Sequence, residues 1–154
     1  RFRYGPPRSG ELVSLENGVV CCTDNYASDA PPDEGLLRIT VPANPRAWFQ
    51  LDEDAYVAAK ARCSDTIAAA AAAIVPDPRP RAVFTDAFTP RTIRKYTGHV
   101  DGAVYGSPAK RRDGRTGIEN LFVIGTDQGL VGIVGTMLSG VLMANQHALA
   151  ARSA

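Results

Sequence analysis

The chain has 154 residues, of which 45% are apolar and 21% are charged, and its formal net charge is +1. This length allows one ordinary domain with a real hydrophobic core, and the composition is that of a globular protein rather than a disordered one. The near-neutral charge gives no electrostatic reason to expect nucleic acid as a partner.

The first predicted element is a β-hairpin. The stretch ELVSLENGVVCC places Asn17 and Gly18 between two β-prone runs, and this dipeptide is a strong signal for a two-residue hairpin turn. A loop rich in Asp, Pro and Ser follows it. The stretch LLRITVP then predicts a strand over 36–42, which its proline ends.

A long helix is predicted next. It begins at an acidic triplet, 52–54, which suits the N-terminal turn through the helix dipole, and it ends at Pro76. Six consecutive alanines, 68–73, favour helix strongly. Cys63 on the apolar face of this helix is interpreted as a small core residue. The aromatic pair 48–49 is interpreted as packing anchors or, alternatively, as part of an apolar substrate tunnel.

A second strand and a short helix are predicted in the middle of the chain. RAVFTDAF is a β-like run over 81–88. In TPRTIRKYTG, Thr89 suits the N-cap, Pro90 suits the first helical position, and Gly98 lies beyond the end. A glycine-punctuated loop with four basic residues covers 99–117 and is interpreted as exposed.

The end of the chain carries the most specific pattern, a predicted strand over 120–125, a glycine-spaced turn, and a last helix over about 132–151. Glycines at a strand-to-helix junction let backbone N–H groups approach a ligand, and the start of a helix favours negative charge. Asp127 in the turn is suited to accept hydrogen bonds from ribose-like hydroxyls. Two interpretations stay open, a ligand site and tight helix–sheet packing that needs glycine.

A membrane span is a further alternative for this segment. No charged residue occurs over 128–146, which is about the length of a span. Glycines interrupt the start of the run, however, and it carries Ser139, Asn145 and Gln146. A helix that is apolar on all sides is more typical of a protein core, and that interpretation is preferred.

At this point the sequence resembles a known family. The stretches FTPRTIRKYTGHVDGAVYGSPAK and IENLFVIGTDQGLVGIVGTMLSGVLMAN resemble the C-terminal end of the phytoene desaturase and carotenoid isomerase-like flavoproteins, members of the amine oxidoreductase superfamily. The resemblance covers about 88–145. It implies an α/β fold, namely a C-terminal fragment of a Rossmann-like FAD-binding domain plus part of a substrate-domain sheet. The implied division is 1–98 for the substrate-binding part and 99–154 for the FAD-binding part.

The resemblance also implies a set of FAD-binding residues. Those near the ribityl chain and pyrophosphate are Gly125, Thr126 and Asp127. Those approaching the edge of the isoalloxazine ring through their backbone are Gly132, Ile133 and Val134. Tyr105 lies in the loop expected near the flavin and the substrate. Many relatives have an acidic residue where this chain has Thr126, and the proline common in the family's turn is absent.

The glycine fingerprint G-x-G-x-x-G for the pyrophosphate occurs nowhere in the chain. We therefore expect half of a FAD site here, with the N-terminal half supplied by the same, longer protein or by another chain. The opening RFRYGPPRSGEL has no initiator methionine and no apolar signal-peptide core, which agrees with the expectation of a longer protein.

The implied function is a FAD-dependent oxidoreductase that moves a hydride between flavin and an apolar, carotenoid- or polyene-like substrate, with the isolated chain expected to be inactive. Desaturation, isomerisation and reduction all stay open, and no catalytic residue is assigned. The alternative is a non-catalytic assembly subunit that completes a partner's flavin site. An odd cysteine count and the absence of metal-ligand spacing predict no metal and a cytoplasmic location, with peripheral membrane contact left open.

Overall fold

The computed structural model describes residues 7–25, 30 and 33–149. The chain divides into two compact units, Arg1–Gly102 and Ala103–Ala154. Within the described ranges, helices are combined with one two-stranded antiparallel sheet. This agrees with the mixed α/β class predicted from the sequence, but a Rossmann-like sheet does not occur among the described elements.

The sheet of the first unit consists of β1 (Val19–Cys22) and β2 (Leu37–Thr40). They pair antiparallel, with Val19 opposite Thr40. The run before Asn17 bridges instead to the end of the same partner segment, at Val13 and Ala43. The predicted hairpin is therefore wrong, because both runs that flank the Asn-Gly pair find their partner in 37–43. The strand predicted over 36–42 is confirmed in shortened form.

A short helix, α1 (Pro45–Phe49), follows the sheet and carries the most buried large side chain of the first unit. Asn44 caps this helix by accepting a hydrogen bond from the amide of Ala47 at 3.4 Å. Trp48 is 2% exposed, and its indole N–H donates to the carbonyl of Leu12 at 3.0 Å. Trp48 is thus a packing anchor, as one of the two interpretations had it.

The long predicted helix is confirmed as α2 (Glu53–Ala71), which ends before the predicted stop at Pro76, and the capped short helix is confirmed as α3 (Pro90–Thr97). Asp52 caps α2 through the amide of Ala55 at 2.8 Å. Thr89 caps α3, and Gly98 closes it with a left-handed backbone (φ 70°). Cys63 on α2 is half-buried rather than enclosed, and burial raises the pKa of its thiol.

A polar cluster around Tyr56 joins α2 to α3. The phenol oxygen lies 3.0 Å from the hydroxyl of Thr89 and 3.3 Å from that of Thr92, while the guanidinium of Arg91 stacks 4.1 Å from the ring centroid. Burial raises the pKa of Tyr56. The two threonine hydrogen bonds and the charges of Lys60 and Arg91 lower it, and the pKa lies below its ordinary value.

The strand predicted over 81–88 is wrong. A 3₁₀ turn occupies Arg79–Arg81, and the segment after it has no strand partner among the described residues. Its large side chains are mostly in solvent, with Val83 81%, Phe84 82% and Phe88 77% exposed. A β-prone composition does not form a strand without a second strand to supply hydrogen bonds.

The strand predicted over 120–125 is also wrong. This run makes only one isolated bridge, between Phe122 and Arg115, and Asn120 adopts a left-handed backbone. A continuous apolar run forms a buried strand only between neighbouring strands, and the described part of the second unit offers none.

After this run, the second unit has a 3₁₀ turn at Gly125–Gln128, the helix α4 (Gly132–Met143) and a turn of π-helix at Ala144–Leu149. The predicted last helix is confirmed at its start, while its expected end at 151 lies outside the described residues. Among the helices that are described, none is long and apolar enough to cross a membrane. The span alternative therefore finds no support in α4, which has 12 residues.

Candidate functional site

A wide, shallow pocket of about 500 Å³ lies in the second unit at the start of α4. Its wall is mainly apolar, and it opens broadly to solvent. The residues that line it are Val104, Tyr105, Thr126, Gly132, Ile133, Thr136 and Met137. Its openness distinguishes it from the enclosed pockets that bury most of a small ligand, and its apolar wall is suited to contact one side of a flat ring.

The floor of the site depends on how the turn before α4 is fixed. Gly125 is buried, has a left-handed backbone (φ 84°), and donates its amide hydrogen to the hydroxyl of Ser139. Ser139 itself is fully buried on α4. This bond ties the turn Gly125–Gln128 to the helix that follows it. Gly129 then reverses the chain with φ 109°, a conformation that a residue with a Cβ rarely adopts.

Gly132 opens α4 with φ 77°, and its position leaves free space. A Cβ placed there meets no atom within 4 Å, so the left-handed backbone, rather than close packing, accounts for the glycine. The preceding residue, Val131, makes no side-chain hydrogen bond to cap the helix. The first N–H groups of a helix have no acceptor within it, and here they stand beside an open, apolar pocket.

The loop before the turn forms another wall and is fastened to the turn by its own hydrogen bonds. The amide of Ser107 donates to Oδ1 of Asp127 at 2.6 Å, and the amide of Arg111 donates to the carbonyl of Asp127 at 2.9 Å. Gly106 has a left-handed backbone, and a Cβ there would collide with the Asp127 carboxylate. The close approach of the two segments therefore requires glycine.

The structure brings together four of the seven site residues implied by the resemblance, Tyr105, Thr126, Gly132 and Ile133, in the wall of one pocket. The other three lie nearby but play different parts. Gly125 is the buried first residue of the turn. Asp127 uses one carboxylate oxygen to hold the loop. The side chain of Val134 is 70% exposed and does not line the pocket.

Sequence reasoning missed several residues of the site. Thr136 and Met137 line the pocket one helical turn after Ile133, and the three- and four-residue spacing of a helix could have found them. Lys110 was assigned to an exposed loop with its basic neighbours. It is half-buried, and its ammonium donates to the carbonyls of Tyr105 and Thr126. No periodic signal marks it.

Gln128 is the most buried polar side chain of the turn, at 5% exposed. Its amide nitrogen donates to the carbonyl of Arg112 at 3.0 Å. Its amide oxygen has no hydrogen-bond partner among the described residues. In the same described ranges, no group of His, Cys, Asp and Glu is arranged to hold a metal ion.

Comparison of the chain with protein-family models, with curated proteins and with solved structures gave no match. The resemblance to the phytoene desaturase group therefore stays a prediction, and its functional consequences are proposals.

Proposed function

We propose that this chain is the flavin-facing, C-terminal part of a FAD-dependent oxidoreductase that acts on an apolar, polyene-like substrate. One observation carries the proposal. Four residues chosen by their match to a flavoprotein motif line a single pocket at the start of a helix. Thr126, Gly132 and Ile133 lie within eight consecutive positions, whereas Tyr105 precedes Thr126 by 21 positions, so the presence of Tyr105 in the same wall does not follow from sequence proximity.

The residues present fit a flavin ring. The wall is mostly apolar, with Tyr105, Ile133 and Met137 offering flat or flexible contact surface. The free space at Gly132 allows close approach of a ring edge to the start of α4, where backbone N–H groups favour negative charge. Thr126 offers a hydroxyl at the same wall. Bound FAD would supply hydride transfer, while these residues hold the ring and exclude water from one side.

The proposal includes a missing half. The turn at Gly125–Gln128 lies next to no G-x-G-x-x-G loop in this chain, and such a loop is the usual cradle for the pyrophosphate. We propose that another segment, in the same protein or in a partner, supplies it and completes the Rossmann-like domain. Within this proposal the protein is cytoplasmic, with peripheral contact to a membrane as the route for an apolar substrate.

A titration that separates the flavin ring from the rest of FAD tests this function. Riboflavin and FAD are each titrated with the chain, and the change in flavin absorbance and fluorescence is recorded. We expect saturable binding of both with dissociation constants within about threefold of each other, since a factor of three is worth less than one good hydrogen bond. A much tighter FAD complex would contradict the half-site.

Filling the pocket supplies the matched control. Met137 lines the pocket and is 68% exposed, whereas Val141 lies one turn later on α4, is 55% exposed, and is not part of the wall. Met137→Trp should abolish riboflavin binding, and Val141→Trp should leave it unchanged. Absence of riboflavin binding to the unmodified chain, or equal effects of the two tryptophans, would overturn the proposed site.

An assembly subunit without its own activity is the second candidate, and the surface of α4 favours it. Six large apolar residues of this 12-residue helix are exposed by 43% or more, as expected of a surface that a partner covers. In that case the chain alone binds no flavin, and flavin binding appears only when the partner is added. The titration above discriminates between the two candidates.

A further inference from the structure

The hydrogen bonds of Lys110 connect two separate parts of the pocket wall. Its ammonium group donates to the carbonyl of Tyr105 and to the carbonyl of Thr126, the latter at 2.9 Å. Tyr105 and Thr126 both line the pocket. One charged group thus fixes two wall segments that lie 21 residues apart in the sequence.

The side chain of Lys110 runs along Gly129. The side chain is half-buried, and its stem passes at ordinary contact distance (3.8 Å) from the place of a Cβ on Gly129. A lysine that is exposed usually keeps its ammonium in water because of the cost of desolvation. Here carbonyl oxygens replace part of that water, and hydrogen bonds to a charged donor are stronger than neutral ones.

Two further bonds hold the same two segments together. Ser107 donates to the Asp127 carboxylate and Arg111 donates to the Asp127 carbonyl. These two bonds and the Lys110 bond to the Thr126 carbonyl join the loop 105–111 to the turn Gly125–Gln128, while the Lys110 bond to the Tyr105 carbonyl lies within the loop. Without the ammonium, the two carbonyls that it bridges lose a shared donor, and partly buried acceptors without a donor are unfavourable.

We infer that Lys110 is a positioning residue, which sets the separation of Tyr105 from Thr126 and so the width of the pocket. The ligand in this inference is the flavin ring of the proposed function. The connection between the loop and the turn rests on the geometry of this unit alone. The positioning role of Lys110 and the proposed flavin function can therefore fail separately.

The experiment compares Lys110→Met, Lys110→Arg and Lys95→Met in the full chain. Lys95 lies on α3 in the other unit, with its ammonium 5.4 Å from the ring centroid of Tyr96, and it is not among the residues that line the pocket. Riboflavin affinity is measured by fluorescence quenching. Amide hydrogen exchange is followed at Ser107, Arg111 and Gly129.

We expect Lys110→Met to weaken riboflavin binding by about tenfold, the effect of losing one or two charged hydrogen bonds. The three amides should exchange at least about fivefold faster, because each reports local opening of the loop or turn. For Lys110→Arg, we expect a riboflavin affinity and exchange rates between those of the unmodified chain and Lys110→Met, since the planar guanidinium cannot reproduce both bonds of the ammonium. Lys95→Met should match the unmodified chain.

Unchanged amide exchange in Lys110→Met would overturn the proposed role of Lys110 in joining the loop to the turn, whatever the change in riboflavin affinity. Faster exchange with unchanged riboflavin affinity would overturn the link between that connection and the pocket. If the unmodified chain binds no riboflavin while exchange still rises, the positioning role is supported and the proposed flavin function is overturned. A general loss of folding in Lys110→Met is recognised by faster exchange throughout α4. In that case the exchange rates and riboflavin affinity of Lys110→Arg test the inference instead.

Discussion

Asp77 and Arg79 form a two-pronged ion pair at the turn that precedes the exposed segment 82–88. The guanidinium donates to the two carboxylate oxygens at 2.9 Å and 2.6 Å, and the amide of Arg79 also donates to Asp77 at 3.0 Å. These bonds hold the pKa of Asp77 at about 2, against an ordinary value of 3.8. The charged carboxylate therefore helps to fix the turn at neutral pH.

The expected pH dependence follows from the direction of this shift. Because the pKa is lower in the folded chain, the pair stabilises the fold above pH 3.8, and this contribution is lost as the pH falls from 3.8 toward about 2. Carbon NMR titration should find the Asp77 carboxyl titrating near 2 and, in Arg79→Met, higher but still below 3.8, because the backbone amide of residue 79 remains as a donor. Arg81→Met is the control and should leave the titration unchanged. An Asp77 midpoint near 3.8 in the unmodified chain would contradict the assignment.

At the scale of the site, sequence resemblance found the glycine turn and Tyr105 but not Lys110. The glycines leave a mark because a left-handed backbone restricts the residue type at Gly125, Gly129 and Gly132. No sequence pattern distinguishes a lysine that donates to carbonyls in a distant segment, since lysines are common in surface loops. The residues that hold a wall in place were therefore out of reach of pattern alone.

Among the secondary-structure elements, α3 shows how much one capping residue contributes. The hydroxyl of Thr89 accepts from the amide of Thr92 at 3.3 Å and lies 3.0 Å from the phenol of Tyr56. Thr89 is 4% exposed. It therefore satisfies the first turn of α3 and joins that helix to α2 with one oxygen atom.

Thr89→Ala should lower the free energy of unfolding by about 1–2 kcal/mol, the usual loss for an N-cap threonine. Thr89→Ser keeps the oxygen and should lose less than half as much. Urea unfolding followed by circular dichroism measures both. Equal losses in the two variants would show that the methyl group, and not the cap, carries the effect.

The helices α2 and α3 and the start of α4 were predicted, α1 was not, and the strands were predicted poorly. The starts of α2 and α3 depend on residues next to them, Asp52 and Thr89, and Gly98 marks the end of α3 locally. A strand depends on a partner elsewhere in the chain. The Asn17-Gly18 pair predicted a turn but did not identify the partner of β1. The runs 81–88 and 120–125 have a β-prone composition, but among the described residues no strand pairs with them.

For the whole molecule, the surface of α4 stands out. Its exposed apolar side chains are Ile133, Val134, Met137, Leu138, Val141 and Leu142. They recur every three or four residues and so form one continuous stripe along the helix. A stripe of this kind differs from single exposed apolar residues, which are ordinary on soluble proteins.

The stripe should bind the dye anilinonaphthalene sulfonate, which reports exposed apolar surface. Replacing Val134 and Val141 together by glutamine should lower the dye fluorescence by about half, because it divides the stripe without changing the pocket wall. Replacing Val57 and Ile74 by glutamine is the control. Those side chains are 60% and 75% exposed in the first unit, and their loss should change the signal little. The reverse order of effects would contradict a continuous stripe.

The burial of Trp48 has a practical consequence for optical studies of this protein. It is the chain's single tryptophan, it is 2% exposed, and its indole N–H is bonded to Leu12 in the first unit. Its emission should therefore lie at short wavelength in the folded chain and shift to the red when that unit opens. Residues 103–154 contribute no tryptophan, so their melting is silent in this signal and is followed by circular dichroism. A gap between the two melting curves would measure how independently the units unfold.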